Sequence, residues 1–288
     1  MRERTRGFAI ATRDLLRGSG ALARGRDELV AVADLVADSI ELVDLLVDRG
    51  LRSDVRRSIL DEILAGRIDR RILALVGFVI DSEYAGDIPE VLHQLDQVLG
   101  STYVFSDGIE IATSGRARGY ARAIMQDLDR EQRMTLLDEL VGVNQLLGEE
   151  LGLRRVLSGL DGNAEQRIHI VEDLFQDRIS SSALLVVRAL VATTNPRSLE
   201  EALEKVITDC AALLESQVAR VTLAREVNEV YRSRIASSLE HRAGHELVVE
   251  WRVDASLIGG MVAVVGDRVY DVSVARELQR AQQLLAGR

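Results

Sequence analysis

The pattern of hydrophobic and polar positions is most regular near the C-terminus. Apolar residues alternate with more polar ones at Leu247, Val249, Trp251 and Val253, which predicts a half-buried strand. Gly259 and Gly260 then permit a backbone geometry or a close approach that a Cβ would obstruct, before an apolar run from Met261 to Val265. Gly266-Asp267 predicts a tight hairpin turn, because glycine accepts a positive φ at its first central position.

A helix is predicted after this hairpin. Its apolar positions recur at spacings of four, three and four residues, at Val274, Leu278, Ala281 and Leu285. Ser273 is well placed to cap the helix N-terminus. The end of the chain therefore predicts a small α+β domain with a β-hairpin.

Upstream, the apolar pattern is helical and occurs twice. Glu28-Leu29-Val30-x-Val32-x-x-Leu35 aligns with Glu139-Leu140-Val141-x-Val143-x-x-Leu146 at a shift of 111 residues. One residue of slippage also aligns Arg4-x-Arg6-Gly7-Phe8-Ala9 with Arg116-x-Arg118-Gly119-Tyr120-Ala121. We interpret this as a duplicated helical unit. The alternative is a chance alignment, since Leu-rich helices match one another easily.

The predicted fold is mainly α, with two tandem bundles of five or six helices before the α+β domain. In the second copy, helices are predicted over 119–127, 131–147, 151–157, 164–175, 181–192 and 198–218. We expect a first bundle over 1–100, a second over 116–217, and the C-terminal domain over 218–288. The connection over 101–115 is either a linker or a small hairpin, with Tyr103 to Phe105 and Ile109 to Ile111 as strands.

Composition narrows the class of protein. Only 3% of residues are aromatic and two are proline, so the cores are aliphatic and long helices are possible. The single cysteine, Cys210, excludes a disulfide framework and multi-cysteine metal sites. A net charge of −10 argues against nucleic-acid binding. The sequence shows neither a signal peptide nor a segment of about 20 apolar residues, so we expect a cytoplasmic chain unless a partner tethers it.

The C-terminal pattern resembles the signature of the delta subunit of F-type ATP synthases, the family of the oligomycin-sensitivity-conferring protein. The residues that carry this resemblance are Val253-Asp254, Leu257-Ile258-Gly259-Gly260, Gly266-Asp267, Tyr270-Asp271-x-Ser273 and Leu278. Val265 departs from it, since many relatives are expected to have a polar residue there. Arg-Gly-Tyr-Ala at 118–121 resembles the start of the family's N-terminal helical domain. The whole chain resembles an enlarged actinobacterial form with one extra helical repeat.

The resemblance implies a structural role without catalysis or cofactors. Family members join the catalytic head to the peripheral stalk, on the cytoplasmic face of the plasma membrane, so membrane association would be indirect. The implied partners are the N-terminal helices of the alpha subunits and the stalk's b subunit, which contacts the region 249–285. Some relatives carry the membrane-anchored stalk helix upstream. Its absence here implies a separate subunit or a fragment of a fusion.

Two sets of residues are candidates for these roles. Shape-keeping residues of the C-terminal signature are expected at Asp254, Gly259, Gly260, Gly266, Asp267, Asp271, Ser273 and Leu278. The groove for an alpha-subunit helix is expected on the first and fifth helices of the second copy, at Tyr120, Ile124, Leu184, Val187 and Leu190. Each groove residue has an alternative interpretation as core, because an apolar stripe most often faces its own bundle.

Two other classes of protein agree less well with the sequence. An enzyme is disfavoured, since Gly259-Gly260 and Gly266 lack the lysine of a phosphate-binding loop and no nucleophile elbow is present. His93 and His169 lie in separate repeats, and the pair His241 and His245 has no defined carboxylate set for a metal. An all-helical regulatory adaptor would explain the duplication but not the glycine-rich ending.

Overall fold

The computed structural model describes residues 1–48, 50–101, 114–158, 164–193 and 198–285. The first copy has six α-helices: α1 (Glu3–Gly18), α2 (Leu22–Asp38), α3 (Ile40–Val47), α4 (Ser53–Leu64), α5 (Arg70–Ser82) and α6 (Ile88–Gly100). Six more follow in the second copy: α7 (Ser114–Asp127), α8 (Arg130–Glu149), α9 (Leu151–Ser158), α10 (Ala164–Phe175), α11 (Ser181–Thr193) and α12 (Leu199–Leu213).

The helix boundaries confirm the duplication. The third to sixth helices of the second copy each begin 111 residues after their counterparts, at Leu151, Ala164, Ser181 and Leu199 against Ile40, Ser53, Arg70 and Ile88. A chance match between apolar patterns would not reproduce four helix starts at one shift. The hairpin predicted at Tyr103–Phe105 and Ile109–Ile111 lies outside the described residues.

Local sequence explains where several of these helices begin and end. Ser39 caps α3, since its Oγ accepts from the Leu42 backbone N–H at 3.2 Å, and Asp69 caps α5 through the Arg71 N–H at 2.9 Å. Pro89 occupies the first turn of α6, where its missing N–H has no intrahelical partner to lose. At the end of α3, the buried Arg56 donates to the Leu46 carbonyl at 2.8 Å. Its counterpart in the second copy, Arg167, is also buried.

The described residues divide into two compact units, residues 1–136 with 155–206, and residues 137–154 with 207–288. The first unit has an aliphatic core, to which the stacked rings of Phe8 and Phe78 add the main aromatic contact, with centroids 4.5 Å apart. Removing such side chains from water is the main force that holds the helices together.

The second unit contains a four-stranded sheet in the order β2-β1-β3-β4. The strands are β1 (Gln217–Leu223), β2 (Leu247–Val253), β3 (Met261–Val265) and β4 (Arg268–Asp271). β1 and β2 are parallel and are connected by helix α13 (Glu229–Ala243), while β3 is antiparallel to both β1 and β4. The last helix, α14 (Val274–Leu285), follows β4 directly. The core comprises Ala219, Val221, Leu223, Leu239, Leu247, Ala263 and Val265.

These elements confirm the predicted fold class and correct one boundary. The helix predicted over 198–218 ends at Leu213, because the chain turns at Glu215, whose φ is +58°, and then enters β1. Strand β1 was not predicted from the sequence. Its alternating core residues, Ala219, Val221 and Leu223, give the period-two pattern from which it could have been predicted.

Candidate functional site

The signature glycines lie at one junction, where β4 passes into α14. Gly260 has a φ of +80°, and a Cβ there would lie 2.2 Å from the Val272 carbonyl oxygen. A Cβ at Gly259 would lie 2.8 Å from Cγ2 of Val274. The Val274 N–H donates to the Gly259 carbonyl at 2.9 Å. The two glycines therefore let residues 272–274 pack against this loop, which fixes the direction in which α14 leaves the sheet.

Asp271 and Ser273 define the first turn of α14. Oδ1 of Asp271 accepts from the Ser273 backbone N–H at 3.0 Å, and Oγ of Ser273 accepts from the Arg276 N–H at 3.3 Å. This second bond is the predicted N-cap. Hydrogen bonds from the side chain and backbone of Ser273 lower the pKa of the Asp271 carboxyl. The carboxylate is therefore the form that this turn stabilises.

The other signature residues shape the neighbouring turns. Asp254 follows β2, where its Oδ1 accepts from the Ser256 N–H at 2.8 Å, and the hydrogen bonds with Ser256 lower its pKa. Gly266 and Asp267 form the two-residue turn between Val265 and Arg268, which pair across β3 and β4. Gly266 has a φ of +55°, as the hairpin prediction requires.

An exposed apolar surface adjoins this junction. The described side chains of α14 are exposed, including Leu278 at 54% and Val274 at 41%. Beside them, Ile258 is 78% exposed. A groove of about 530 Å³ also opens here, lined mainly by apolar side chains from the end of β1, α13 and the glycine loop, among them Leu223, Val227, Ile235, Ile258, Met261 and Val272. Exposed apolar area of this kind is typical of a surface that binds another protein.

The predicted groove residues of the second copy are mostly buried. Tyr120, Ile124, Val187 and Leu190 are each no more than 4% exposed, and Leu184 is half-buried. The Tyr120 hydroxyl donates to Oδ2 of Asp14 in α1 at 3.1 Å. Burial and the nearby Asp14 raise the pKa of Tyr120 well above its usual value, so the hydroxyl stays protonated and remains a donor. Part of the predicted groove therefore faces the first copy.

Glu250 is a polar residue that the sequence analysis missed. It lies in β2 and is 3% exposed. Its carboxylate accepts from Nδ2 of Asn144 at 2.9 Å, from Nε of Arg220 at 3.3 Å and from Nη2 of Arg252 at 2.8 Å. Because a buried carboxylate requires such partners, this network ties the α8 residue Asn144 to the sheet. The sequence shows Glu250 only as one of the polar residues that alternate along β2.

Reactive groups are not gathered into a site within the described residues. No cluster of three or more His, Cys, Asp or Glu side chains there could hold a metal ion. Burial raises the pKa of the Cys210 thiol to about 12, which leaves it protonated and unreactive. No described helix is long and apolar enough to cross a membrane.

Comparison with known proteins gives the family. The family model for the ATP synthase delta (OSCP) subunit matches residues 117–285, which include most of the second copy and the whole C-terminal sheet. The chain belongs to the ATP synthase delta (OSCP) subunit family. Members of this family are structural subunits of ATP synthase rather than catalytic ones.

Individual relatives differ in how much of the chain they match. The ATP synthase subunit delta of Beutenbergia cavernae is 25% identical over 274 residues, covering 95% of this chain and 93% of that protein. That of Salinispora arenicola is 25% identical over 268 residues, covering 93% and 90%. The Chlorobium phaeovibrioides protein is 29% identical over 177 residues, which is 59% of this chain but 94% of that protein. The chain is thus similar in extent to the longer delta subunits, which confirms the enlarged form.

Proposed function

We propose that this delta-family subunit acts in the peripheral stalk of a proton-translocating ATP synthase, where it links the catalytic head to the b subunit on the cytoplasmic face of the plasma membrane. The C-terminal domain contacts the b subunit, and the helical copies face the head. The proposed domains are the added repeat over residues 1–100, the connection over 101–115, the family's helical domain over 116–217 and the stalk-binding domain over 218–288. The protein transmits force and performs no reaction.

One observation supports stalk binding most directly. The signature residues set the start and direction of an α-helix whose apolar side chains have remained exposed, at Val274 and Leu278. A helix with an uncovered apolar stripe is suited to pack against a second amphipathic helix. The signature then has a mechanical purpose, because a fixed junction prevents the helix from pivoting on the sheet when force is applied.

The proposed contact with the head is the groove between α7 and α11. Its residues are Tyr120, Ile124, Leu184, Val187 and Leu190, of which Leu184 is the half-buried member available to an incoming helix. Val187 and Leu190 are core residues in the free chain, so charged substitutions there would damage the bundle before they tested binding. Leu184→Glu is the informative variant for this surface.

The stalk contact is tested with the full-length chain and the C-terminal segment of the b subunit from the same organism, by calorimetry. Leu278→Glu should weaken binding at least about tenfold, because truncating or charging a side chain that anchors an interface lowers the binding free energy by more than about 1.4 kcal/mol. Gln283→Glu is the matched control, because it adds the same charge on the opposite face of α14 and should leave affinity unchanged. Equal affinity for the wild type and for folded Leu278→Glu would refute the proposed surface.

A further inference from the structure

The two helical copies pack against each other through equivalent glycines. A Cβ at Gly7 in α1 would lie 1.9 Å from the carbonyl oxygen of Arg116 in α7. A Cβ at Gly119 in α7 would lie 1.8 Å from the carbonyl oxygen of Arg4 in α1. Gly7 and Gly119, like Arg4 and Arg116, are equivalent in the sequence repeat. The contact is therefore reciprocal, and the same face of each first helix touches the other backbone to backbone.

Side chains on both sides extend this contact. The Arg116 guanidinium pairs with Glu3 at 2.7 Å, and the Tyr120 hydroxyl donates to Asp14. From α7, the Arg122 guanidinium lies over the Phe78 ring of α5, 5.5 Å from its centroid. Helix α1 thus packs on α7 of the second copy, while α7 also reaches α5 of the first.

We propose that α1 is the resident helix on the α7 side of the groove between α7 and α11, so that the added repeat covers in cis part of the surface that the stator role assigns to a helix of the head. The inference rests on the groove named in that proposed function. A head helix can bind the face at Tyr120 only by displacing α1. The added repeat is then a built-in occupant of this groove rather than a second free docking module.

The packing makes this occupancy hard to reverse. Helix α1 also supplies core residues to its own bundle, including Phe8, Ala9, Ala11 and Leu16, each at most 1% exposed. It cannot leave α7 without the first copy moving as a whole. Separation would expose the apolar surface of α7 and leave the Tyr120 hydroxyl without its Asp14 partner. Because both copies belong to one chain, the tether also gives α1 a high effective concentration at the groove.

The test uses full-length protein and a fluorescent peptide with the sequence of residues 3–18, which carries its own glycine. Gly7→Leu should bind this peptide at least about tenfold more tightly than the wild type does, because the leucine forces the resident α1 off α7. The tenfold change corresponds to the loss of at least about 1.4 kcal/mol from the overpacked contact between α1 and α7. Gly142→Leu is the control, since residue 142 is an exposed helical position with nothing within 4 Å, and it should bind as the wild type does.

The location of the peptide is tested by Gly7→Leu combined with Gly119→Leu. If the peptide lies on α7, the second substitution abolishes binding. Binding retained in this double variant would mean that the peptide replaces α1 within the first bundle, and would overturn the proposal. Equal binding by wild type and Gly7→Leu, or none by a folded Gly7→Leu, would also overturn it.

Gly7→Ala replaces Gly7→Leu if circular dichroism shows that the leucine variant does not fold. No ATP synthase component enters this assay, so its outcome is independent of whether the chain binds the b subunit.

Discussion

The glycine contact between α1 and α7 gives a prediction about stability. Alanine is normally preferred over glycine inside a helix by about 1 kcal/mol, so a helical Gly→Ala substitution usually stabilises. At Gly7 and Gly119 we expect the opposite, because each new Cβ would meet a backbone carbonyl of the facing helix, at 1.9 and 1.8 Å. These carbonyl oxygens belong to the first turns of α1 and α7, and a helical backbone oxygen cannot rotate away as a side chain can.

The size of the destabilisation follows from how far α1 and α7 must move apart to accommodate the new Cβ. Packed atoms normally lie about 3.5 Å apart, so α1 and α7 would have to separate by about 1 Å or more. Overpacking of this kind costs about 1–3 kcal/mol, from which the helix-propensity gain of about 1 kcal/mol is subtracted. We therefore expect Gly7→Ala to lower the free energy of unfolding by up to about 2 kcal/mol. Gly119→Ala should do the same, since its contact is equivalent.

The assay is denaturant unfolding followed by far-ultraviolet circular dichroism. Gly142→Ala is the matched control, because Gly142 lies within α8 and a Cβ there has nothing within 4 Å. It should stabilise by about 0.5–1 kcal/mol, so the control and the test variants change stability in opposite directions. The double variant Gly7→Ala with Gly119→Ala should destabilise by less than the sum of the two, because one separation of the helices relieves both contacts. A Gly7→Ala protein as stable as Gly142→Ala would refute the close crossing.

Two further predictions concern the C-terminal domain. Gly260→Ala should destabilise it by about 2–4 kcal/mol, and Gly244→Ala by about 1 kcal/mol. Both glycines have φ near +80°, but only at Gly260 would the Cβ meet a backbone oxygen. Unfolding followed by fluorescence of the single tryptophan, Trp251, measures both losses of stability, and equal losses would contradict this explanation. Because the pKa of Asp271 is lowered in the folded state, its carboxylate stabilises the domain fully above about pH 4, and this stabilisation is lost as the pH falls through the folded pKa. In Asp271→Ala, the free energy of unfolding should therefore fall less steeply as the pH is lowered. An unchanged pH dependence at acid pH would show that the turn does not bind the carboxylate preferentially.

Much of the architecture could be predicted from local pattern. The repeat was visible because apolar residues such as Leu29 and Leu140 recur at one constant shift, and the equivalent helices begin at that same shift. The turn at Gly266 and the cap at Ser273 were predictable because each has a local cause, a positive φ in one case and an unpaired helix N–H in the other. These features depend on residues that are near one another in the chain.

Strand β1 was missed although its pattern is local, whereas the other missed features depend on distant residues. Glu250 alternates with apolar neighbours and looks like an exposed strand residue, but Asn144 and two arginines cover it in the folded protein. Tyr120 was predicted in a groove, and no periodicity in the second copy indicates that Asp14 of the first would bind its hydroxyl. The hydrophobic pattern shows which face of a helix is buried, but not which partner buries it.

The pairing of the two copies shows how an added repeat is accommodated within one chain. Here the face around Gly119 packs on the equivalent face around Gly7, so the contact is self-complementary and closes on itself. Because closure occurs within one chain, it leaves neither face available to a second molecule. In the C-terminal domain, by contrast, the apolar side chains of Val274 and Leu278 on α14 are exposed, which is typical of a surface that binds another protein.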